Sequence, residues 1–479
     1  MEHRYEFDAP EHRADGSVGS ARYRLEQRSD DRWAIAREGT VVQELGLGYR
    51  AIRVSHCGVC STDLARHHLP FPLPQITGHE VVAIDDDGQP VAVEINASDI
   101  GRGLPRTAWC EFCRAGMPTH CPDRLVLGIH GLPGGFAPRL LAPSANVVPL
   151  PDGVDPVSAT LLEPFAAAWH AVTTIAPDDG DRVAVLGPRR LGSLVIAALA
   201  SWRARTGRSI EISAVVRRRS LGRLARILGA DEVIHLDGKS APEALAEIVV
   251  DTTGSPDGLA VAMRLATREV HLKSTNGLPT LGLGHATELV VDELSVVPFR
   301  PDLVATSPSA GTTVVAILDP TADDAAVAEL ERRGLRILRG ADAARLRAEL
   351  ARDPDVPLDG ADVVLASSLA QVDAAIRPDA ALERPLIRPR GIIAIAAGAA
   401  PEGLLAEVLG RGIRVTTSRC GDFRTALPVL AELPGILGTT LGDAMVTSVL
   451  PAADLAAGYA AARDPQGLKV VMTHPEGLL

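Results

Sequence analysis

Along the first 50 residues hydrophobic and polar positions alternate, in ARYRLEQR and RWAIAREG, a period of two that predicts half-buried surface strands. From residue 51 to about 160 short apolar runs are broken by Gly and Pro turns, and a mostly β region is expected. After Asp178 the pattern changes. RVAVLG, EISAVV, EIVVDTT and EVHLKS read as strands, and LGSLVIAALASW, LGRLARILGA and GLAVAMRLA as the helices between them. That order is the βαβ series of a doubly wound parallel sheet. The stretch Leu191 to Trp202 is too short to span a bilayer and reads as a buried helix.

A second series follows with similar order. TTVVAILD and LRILRG read as strands, ADVVLASSLAQVDAAI is patterned like EIVVDTTGSPDGLAVAM, GIIAIAAG stands where EVHLKS stood, and GIRVTTSRCGDF where ELSVVPFRPDL did. An internal repeat and a plain α/β extension both account for it. Ser307 to Thr313 is the expected linker between the two series. ILDPTADDAA, which opens the second, has no glycine turn and puts acids where phosphate would bind, so that unit is expected to be a structural or interface insertion.

The chain has 479 residues, 46% of them hydrophobic, with 44 Gly and 35 Pro, which is the balance of a globular protein of more than one domain. Its net charge of -12 argues against broad affinity for nucleic acid. No apolar run is long enough for a membrane span, and MEHRYEFDAP lacks a basic-then-apolar signal pattern, so a cytoplasmic protein is expected. Five of the six cysteines, Cys57, Cys60, Cys110, Cys113 and Cys121, fall in two clusters, which suits thiolate metal ligation in a reducing compartment. Cys420 stands alone.

CGVCSTDL, followed by GHE at Gly78 to Glu80, carries the strongest chemical signal. Thiolate, imidazole and carboxylate are the ligand types of catalytic zinc, which keeps three protein ligands and one open position. Cys60 and His79 supply two, and Glu163 in LLEPFAAAWHA a third. With CEFCRAGMPTHC, LGIHGLPGGFA, VLGPRRLG, DTTGSPDGLAVAM and GLKVVM, these motifs make the chain resemble the zinc-containing medium-chain alcohol and polyol dehydrogenases. The resemblance runs from about residue 50 to 300 and from about 415 to the end.

The resemblance implies a catalytic zinc on Cys60, His79 and Glu163, with Glu80 the carboxylate beside it, Thr62 the hydroxyl that passes the alcohol proton, and Cys57 a neighbour that is no ligand. It also implies a homo-oligomer, dimer or tetramer. Where the family often ends its proton relay at a His, this chain has Ala65. Its four-cysteine structural zinc site is matched by Cys110, Cys113 and Cys121, but the first place is Thr107, so the lobe is either empty or completed by an outside partner such as His120. A rival grouping joins Cys57, Cys60, Cys110 and Cys113 in one site.

The dinucleotide loop departs further. In GPRRLG, Gly187 provides the tight turn and Gly192 close helix packing, but the middle glycine is Arg189. Arg189 and Arg190, ahead of Leu191, are then available to pair with phosphate oxygens directly. At the end of the next strand Val216 replaces the ribose-binding acid and is followed by Arg217, Arg218 and Arg219, which favours NADP(H) over NAD(H). The alternative for this basic run is a solvated turn in a domain that has lost its cofactor.

The expected fold class is α/β. It comprises a GroES-like, mostly β catalytic domain at 1–172, a doubly wound Rossmann-like sheet at 173–306, an inserted second Rossmann-like α/β unit at 307–424, and a segment, 425–479, returning to the catalytic domain. The expected function is zinc-dependent hydride transfer between NADP(H) and a small-molecule substrate, a secondary alcohol, polyol or the corresponding carbonyl. Non-redox zinc Lewis-acid chemistry (elimination, hydration or isomerisation) and a non-catalytic scaffold are the alternatives.

Overall fold

The computed structural model describes residues 3–236, 242–274, 277–284, 286–300, 313–318, 324–353, 355–356, 358, 360–378 and 384–475. The expected linker Ser307 to Thr313 lies outside them, except for Thr313. Two compact units divide the chain: residues 1–167 with 420–479, and 168–419.

The first unit opens with an antiparallel meander, β1 (Arg4–His12), β2 (Val18–Gln27), β3 (Trp33–Arg37) and β4 (Thr40–Leu45). Alternation puts Leu25, Trp33 and Ile35 into its core, and the buried Glu11 carboxylate is matched by Arg37 at 2.6 and 2.7 Å and by the Tyr23 hydroxyl at 2.8 Å. A larger sheet starts with β5 (Tyr49–Gly58), which runs into the short helix α1 (Ser61–Leu64), and continues with β6 (Glu80–Ile84) and β7 (Pro90–Val93). A small sheet of β8 (Asn96–Ala97), β9 (Leu125–Leu127) and β10 (Gly131–Leu132) carries α2 (Glu111–Arg114) on the excursion between β8 and β9. The strands β11 (Arg139–Pro143) and β12 (Val147–Pro149) return to the larger sheet, and α3 (Pro156–Ala159) and α4 (Leu162–Ile175) follow.

The second unit is built on one sheet of eleven strands. Its first series is β13 (Arg182–Leu186), α5 (Leu191–Thr206), β14 (Glu211–Val216), α6 (Arg219–Ile227), β15 (Glu232–His235), β16 (Ala246–Asp251), α7 (Pro256–Leu265), β17 (Ala266–Leu272), α8 (Ala286–Val291) and β18 (Ser295–Pro298). The second is β19 (Val314–Ile317), α9 (Asp324–Arg332), β20 (Arg336–Arg339), α10 (Ala343–Leu350), β21 (Ala361–Ala366), α11 (Leu369–Ile376), β22 (Ile387–Ile395), α12 (Gly403–Arg411) and β23 (Arg414–Thr417). The strands expected of residues 173–306 and of 307–424 thus lie in a single sheet, in the order β15-β14-β13-β16-β17-β23-β18-β22-β21-β19-β20. Inner strands such as β16, β19 and β21 are buried nearly end to end, as parallel strands covered on both faces are. The predicted buried helix is α5, in which residues 192–201 are all buried.

The chain then returns to the first unit through α13 (Phe423–Leu437), α14 (Leu441–Met445), β24 (Val446–Pro451), α15 (Leu455–Arg463) and β25 (Lys469–Thr473). Strand β25 pairs with β5, setting Val471 opposite Gly58 and Met472 opposite Cys57, and so closes the larger sheet beside the CGVC motif.

Candidate active site

Strand β5 ends at Gly58, and the chain turns at Cys60 into α1. The turn is held by Asp63, whose Oδ2 accepts the Cys60 N–H at 2.8 Å and whose Oδ1 accepts the Gly78 N–H at 3.0 Å. One buried carboxylate therefore ties the CGVC loop to the GHE loop. It also lies 3.4 Å from His79 Nδ1. Strand β6 starts at Glu80, opposite Gly58 of β5, and the buried Lys469 ammonium at the head of β25 pairs with its carboxylate.

The result is a compact donor set. Ligand atoms of Cys60, His79 and Glu80 all lie within 4.8 Å of one another. Burial opposes protonation of His79, but the charges of Asp63 and Cys60 outweigh it and hold its pKa well above the imidazole range. Such a pocket asks for a cation, and its thiol, imidazole and carboxylate donors suit zinc. Thr62 places its Oγ1 3.6 Å from Cys60 Sγ. Cys57 is fully buried, its thiol is pushed well above its usual pKa by that burial, and it is not a member of the donor set. Glu163 stands in the first turn of α4, outside the group, and its charge adds to that of Asp422 on the half-buried Glu94, raised to about 7 chiefly by burial.

A second group lies in the loop around α2. Cys110, Cys113 and Cys121 are joined by Asp99, again with all ligand atoms within 4.8 Å. Thr107 is exposed and takes no part, and Asp99 fills the fourth place, for which His120 was one candidate and an empty lobe the alternative. Asp99 Oδ2 accepts the Cys110 N–H at 2.8 Å and Arg102 donates to Oδ1 at 3.1 Å. The Cys113 N–H donates to Cys110 Sγ at 3.4 Å, and the hydrogen bond from Cys113 drives the Cys121 thiol down to about 6. The rival four-cysteine site is not formed: Cys60 and Cys110 belong to different groups.

In the second unit, the GPRRLG loop leaves β13 through Gly187, whose φ of +73° is the left-handed region that glycine adopts freely. Thr252 Oγ1 donates to the carbonyls of Leu186 and Gly187 at 2.9 and 3.2 Å, and a Cβ on Gly192 would come within 2.4 Å of that same oxygen. Gly187 and Gly192 thus play the two expected parts. Arg190 stands at the N-cap position of α5 ahead of Leu191, and Arg218 at that of α6. Burial and the charges of Arg190 and Arg218 lower the pKa of Arg189, so three guanidinium charges act on one another at this loop, and Arg217, next to Arg218 in the chain, is exposed. Such cations beside a helix start suit phosphate. Asp251, fully buried at the end of β16, accepts from Thr253 N and Oγ1 at 2.9 and 2.7 Å, and burial raises it to about 6.

The alcohol dehydrogenase GroES-like domain family matches residues 48–152, the span that holds Cys60, His79, Glu80 and the Asp99 group. L-galactonate-5-dehydrogenase of Escherichia coli is 35% identical over 158 residues, 30% of this chain and 44% of that protein, so the chain spans less than half of it. L-threonine 3-dehydrogenase of Rhizobium johnstonii is 30% identical over 268 residues, 52% of this chain and 73% of that protein. The chain belongs to the medium-chain dehydrogenase family. A zinc-binding dehydrogenase of Sinorhizobium meliloti bound to NADP shares its fold, with a TM-score of 0.55 at 17% identity over 98% of this chain and all of that one. Among the described residues of this family member no helix is long and apolar enough to cross a membrane, and all six cysteines are unbridged.

Three features went unread in the sequence. Asp99 precedes the cysteine run in an irregular segment, and Lys469 was visible only as part of GLKVVM. The third is a buried cluster in which His271 meets Thr416 Oγ1 at 2.9 Å and Ser418 Oγ at 2.8 Å, while Lys273 Nζ donates to Ser418 Oγ at 2.9 Å and to the Arg419 carbonyl at 2.6 Å.

Proposed function

We propose that the chain is a zinc-dependent oxidoreductase that moves hydride between NADP(H) and a secondary alcohol, a polyol or the corresponding carbonyl, working in the cytoplasm on a small molecule. The observation that carries the reading is the Cys60, His79, Glu80 donor set in its anionic pocket. Cys60 and His79 hold the metal with a carboxylate as third donor, Glu163 by family resemblance, with Glu80 within reach and steadied by Lys469. Bound there, zinc supplies a Lewis acid that lowers the pKa of a substrate hydroxyl. Thr62 takes the hydroxyl proton at Oγ1. Ala65 carries no group to receive it, so the next acceptor is water. Asp63 keeps the Cys60 and GHE loops in register throughout.

In the nucleotide loop, Gly187 and Gly192 shape the turn, the start of α5 at Leu191 and the side chains of Arg189 and Arg190 take the pyrophosphate, and Arg217 and Arg218 take a 2′-phosphate. The Asp99, Cys110, Cys113 and Cys121 group holds a second, structural zinc, Asp99 standing in for the missing thiolate.

Metal analysis and absorbance at 340 nm test this together. Two zinc ions per chain are expected, falling to one in Cys60→Ala and, independently, to one in Asp99→Ala; comparing Glu163→Gln with Glu80→Gln identifies the third catalytic donor. An alcohol and carbonyl panel with NADPH should change the nicotinamide band. Failure of both NADPH and NADH to bind at millimolar concentration would sink the reading, and turnover with no change at 340 nm would favour the non-redox alternative, which the Arg189 substitution in the loop motivates.

A further inference from the structure

The eleven-stranded sheet is two parallel blocks laid edge to edge. From β15 to β23 neighbouring strands run parallel, as they do from β18 to β20, and among the described residues the direction reverses only where β23 meets β18, at Val415 opposite Val296. Counted outward from that seam, both blocks show one order. On one side beyond the seam strands come β17, β16, β13 and β14, on the other β22, β21, β19 and β20, in each case the next to last strand of its series, the one before that, the first and the second, apart from β15 on the outer edge.

The match extends to single residues. Asp251 at the end of β16 pairs with Leu272, and Ala366 at the end of β21 pairs with Ile395. Each pairing has its irregularity at the same place, between the first and third residues of the strand, Ala246/Ile248 and Ala361/Val363. Beyond each strand pair one further bond follows, Lys273 N–H to Asp251 O at 3.0 Å and Ala396 N–H to Ala366 O at 2.9 Å. A serine caps the next helix in both, Ser255 for α7 and Ser368 for α11.

The last helix and strand of each series are exchanged. After β17 the chain runs through α8 to β18, which pairs with β22 of the other block; after β22 it runs through α12 to β23, which pairs with β17. Both seam strands are therefore paired along both edges, and Val296 and Val415 are each 1% exposed.

An antiparallel meeting of two like sheet edges about a two-fold axis is how two copies of a chain join, since each copy offers the same edge to the other. We infer that the second series is a structural copy of the first whose role is to be its partner: one chain supplies both sides of the seam, and the protein works as a monomer in place of the homo-oligomer expected from its sequence, with no edge there for a second copy. Covalent linkage makes the pairing intramolecular, so it does not depend on protein concentration. This inference is independent of the hydride-transfer reading.

Two measurements test it. Light scattering across a wide concentration range should return the mass of a single chain; a persistent dimer overturns the inference. The second uses Val296→Cys with Val415→Cys. Directly opposite residues of an antiparallel pair have Cα atoms about 4.5–5.5 Å apart, inside the span of about 4.4–6.8 Å that a disulfide bridges, and residues 168–419 contain no cysteine of their own. Mild oxidation should give one intrachain bridge at the mass of a single chain, absent from either single variant. A disulfide-linked dimer shows that the strands are exchanged between chains, and a folded double variant with no bridge removes the seam; both overturn the inference.

Discussion

The two blocks of the large sheet agree in strand order, pairing register, the place of an irregularity and the serine that caps a helix, and they disagree almost wherever a side chain could do chemistry. In the first block β13 runs into Gly187 and the arginine loop, and β16 ends in the buried Asp251. At the end of β21 the second block has Ala366, and past β19 its sequence runs DPTAD, outside the described residues. Register is dictated by burial on both faces, which both blocks need equally. Loop ends at the carboxyl edge of the strands are free of that demand, and function is written there. A copy kept as a partner retains the first set of constraints and loses the second.

The largest expected effect of breaking this contrast is at glycine. Gly192 of α5 is buried with Thr252 Oγ1 where a Cβ would go, so Gly192→Val should cost about 3 kcal/mol and abolish NADPH binding. Gly410 of α12 faces open space, and Gly410→Ala should instead stabilise by about 0.5–1 kcal/mol through helix propensity alone, with nucleotide binding untouched. Urea denaturation and NADPH fluorescence measure both. Equal losses in the two variants would mean that the blocks are not specialised in this way.

How much of this was legible follows the same division. The strands and helices of both series were readable because parallel strands are apolar runs of limited length and the helices between them are Ala- and Leu-rich. Even the correspondence of ADVVLASSLAQVDAAI with EIVVDTTGSPDGLAVAM was visible, and the structure lays those segments at equivalent places. The exchange of β18 and β23 was not, because an apolar run specifies that a strand is buried and not which sheet edge it joins. In the first donor set, Cys60 and His79 were readable from their motifs, and the structure brings them together with Glu80. The fourth member of the cysteine group was not: Asp99 is an ordinary acid in an irregular loop until folding sets it against Cys110.

A smaller effect comes from Asp251. Its pKa is raised by burial to about 6, above the usual carboxylate value, so the neutral acid is favoured in the fold. Stability from this group is fully present below about pH 4 and is lost as pH rises through about 6, because over that span the folded chain holds a proton that the unfolded chain has already released. Asp251→Asn should remove that loss, stabilising the protein at pH 8 by about 1–3 kcal/mol and changing little at pH 4. Thermal melts at both pH values decide it. Ala366, at the matching place, titrates nothing, so Ala366→Ser should show no such pH dependence.

The finest distinction concerns the ends of the second strand in each block, β14 and β20, since both carry arginine there. Arg217 and Arg218 follow β14, and the charge of Arg218 acts on Arg189 of the loop, whereas Arg339 closes β20 at the far edge of the sheet. If charge alone attracted the nucleotide, the two places would count alike. If the guanidinium groups act through a shaped loop, only the first matters. Arg217→Ala with Arg218→Ala should weaken NADPH binding about tenfold, or about 1.4 kcal/mol, and leave NADH nearly unchanged, because only the 2′-phosphate distinguishes the two ligands. Arg339→Ala should alter neither affinity. Should NADPH and NADH weaken together in the first variant, the arginines are holding the pyrophosphate and not the 2′-phosphate, and the preference for NADP(H) loses its support.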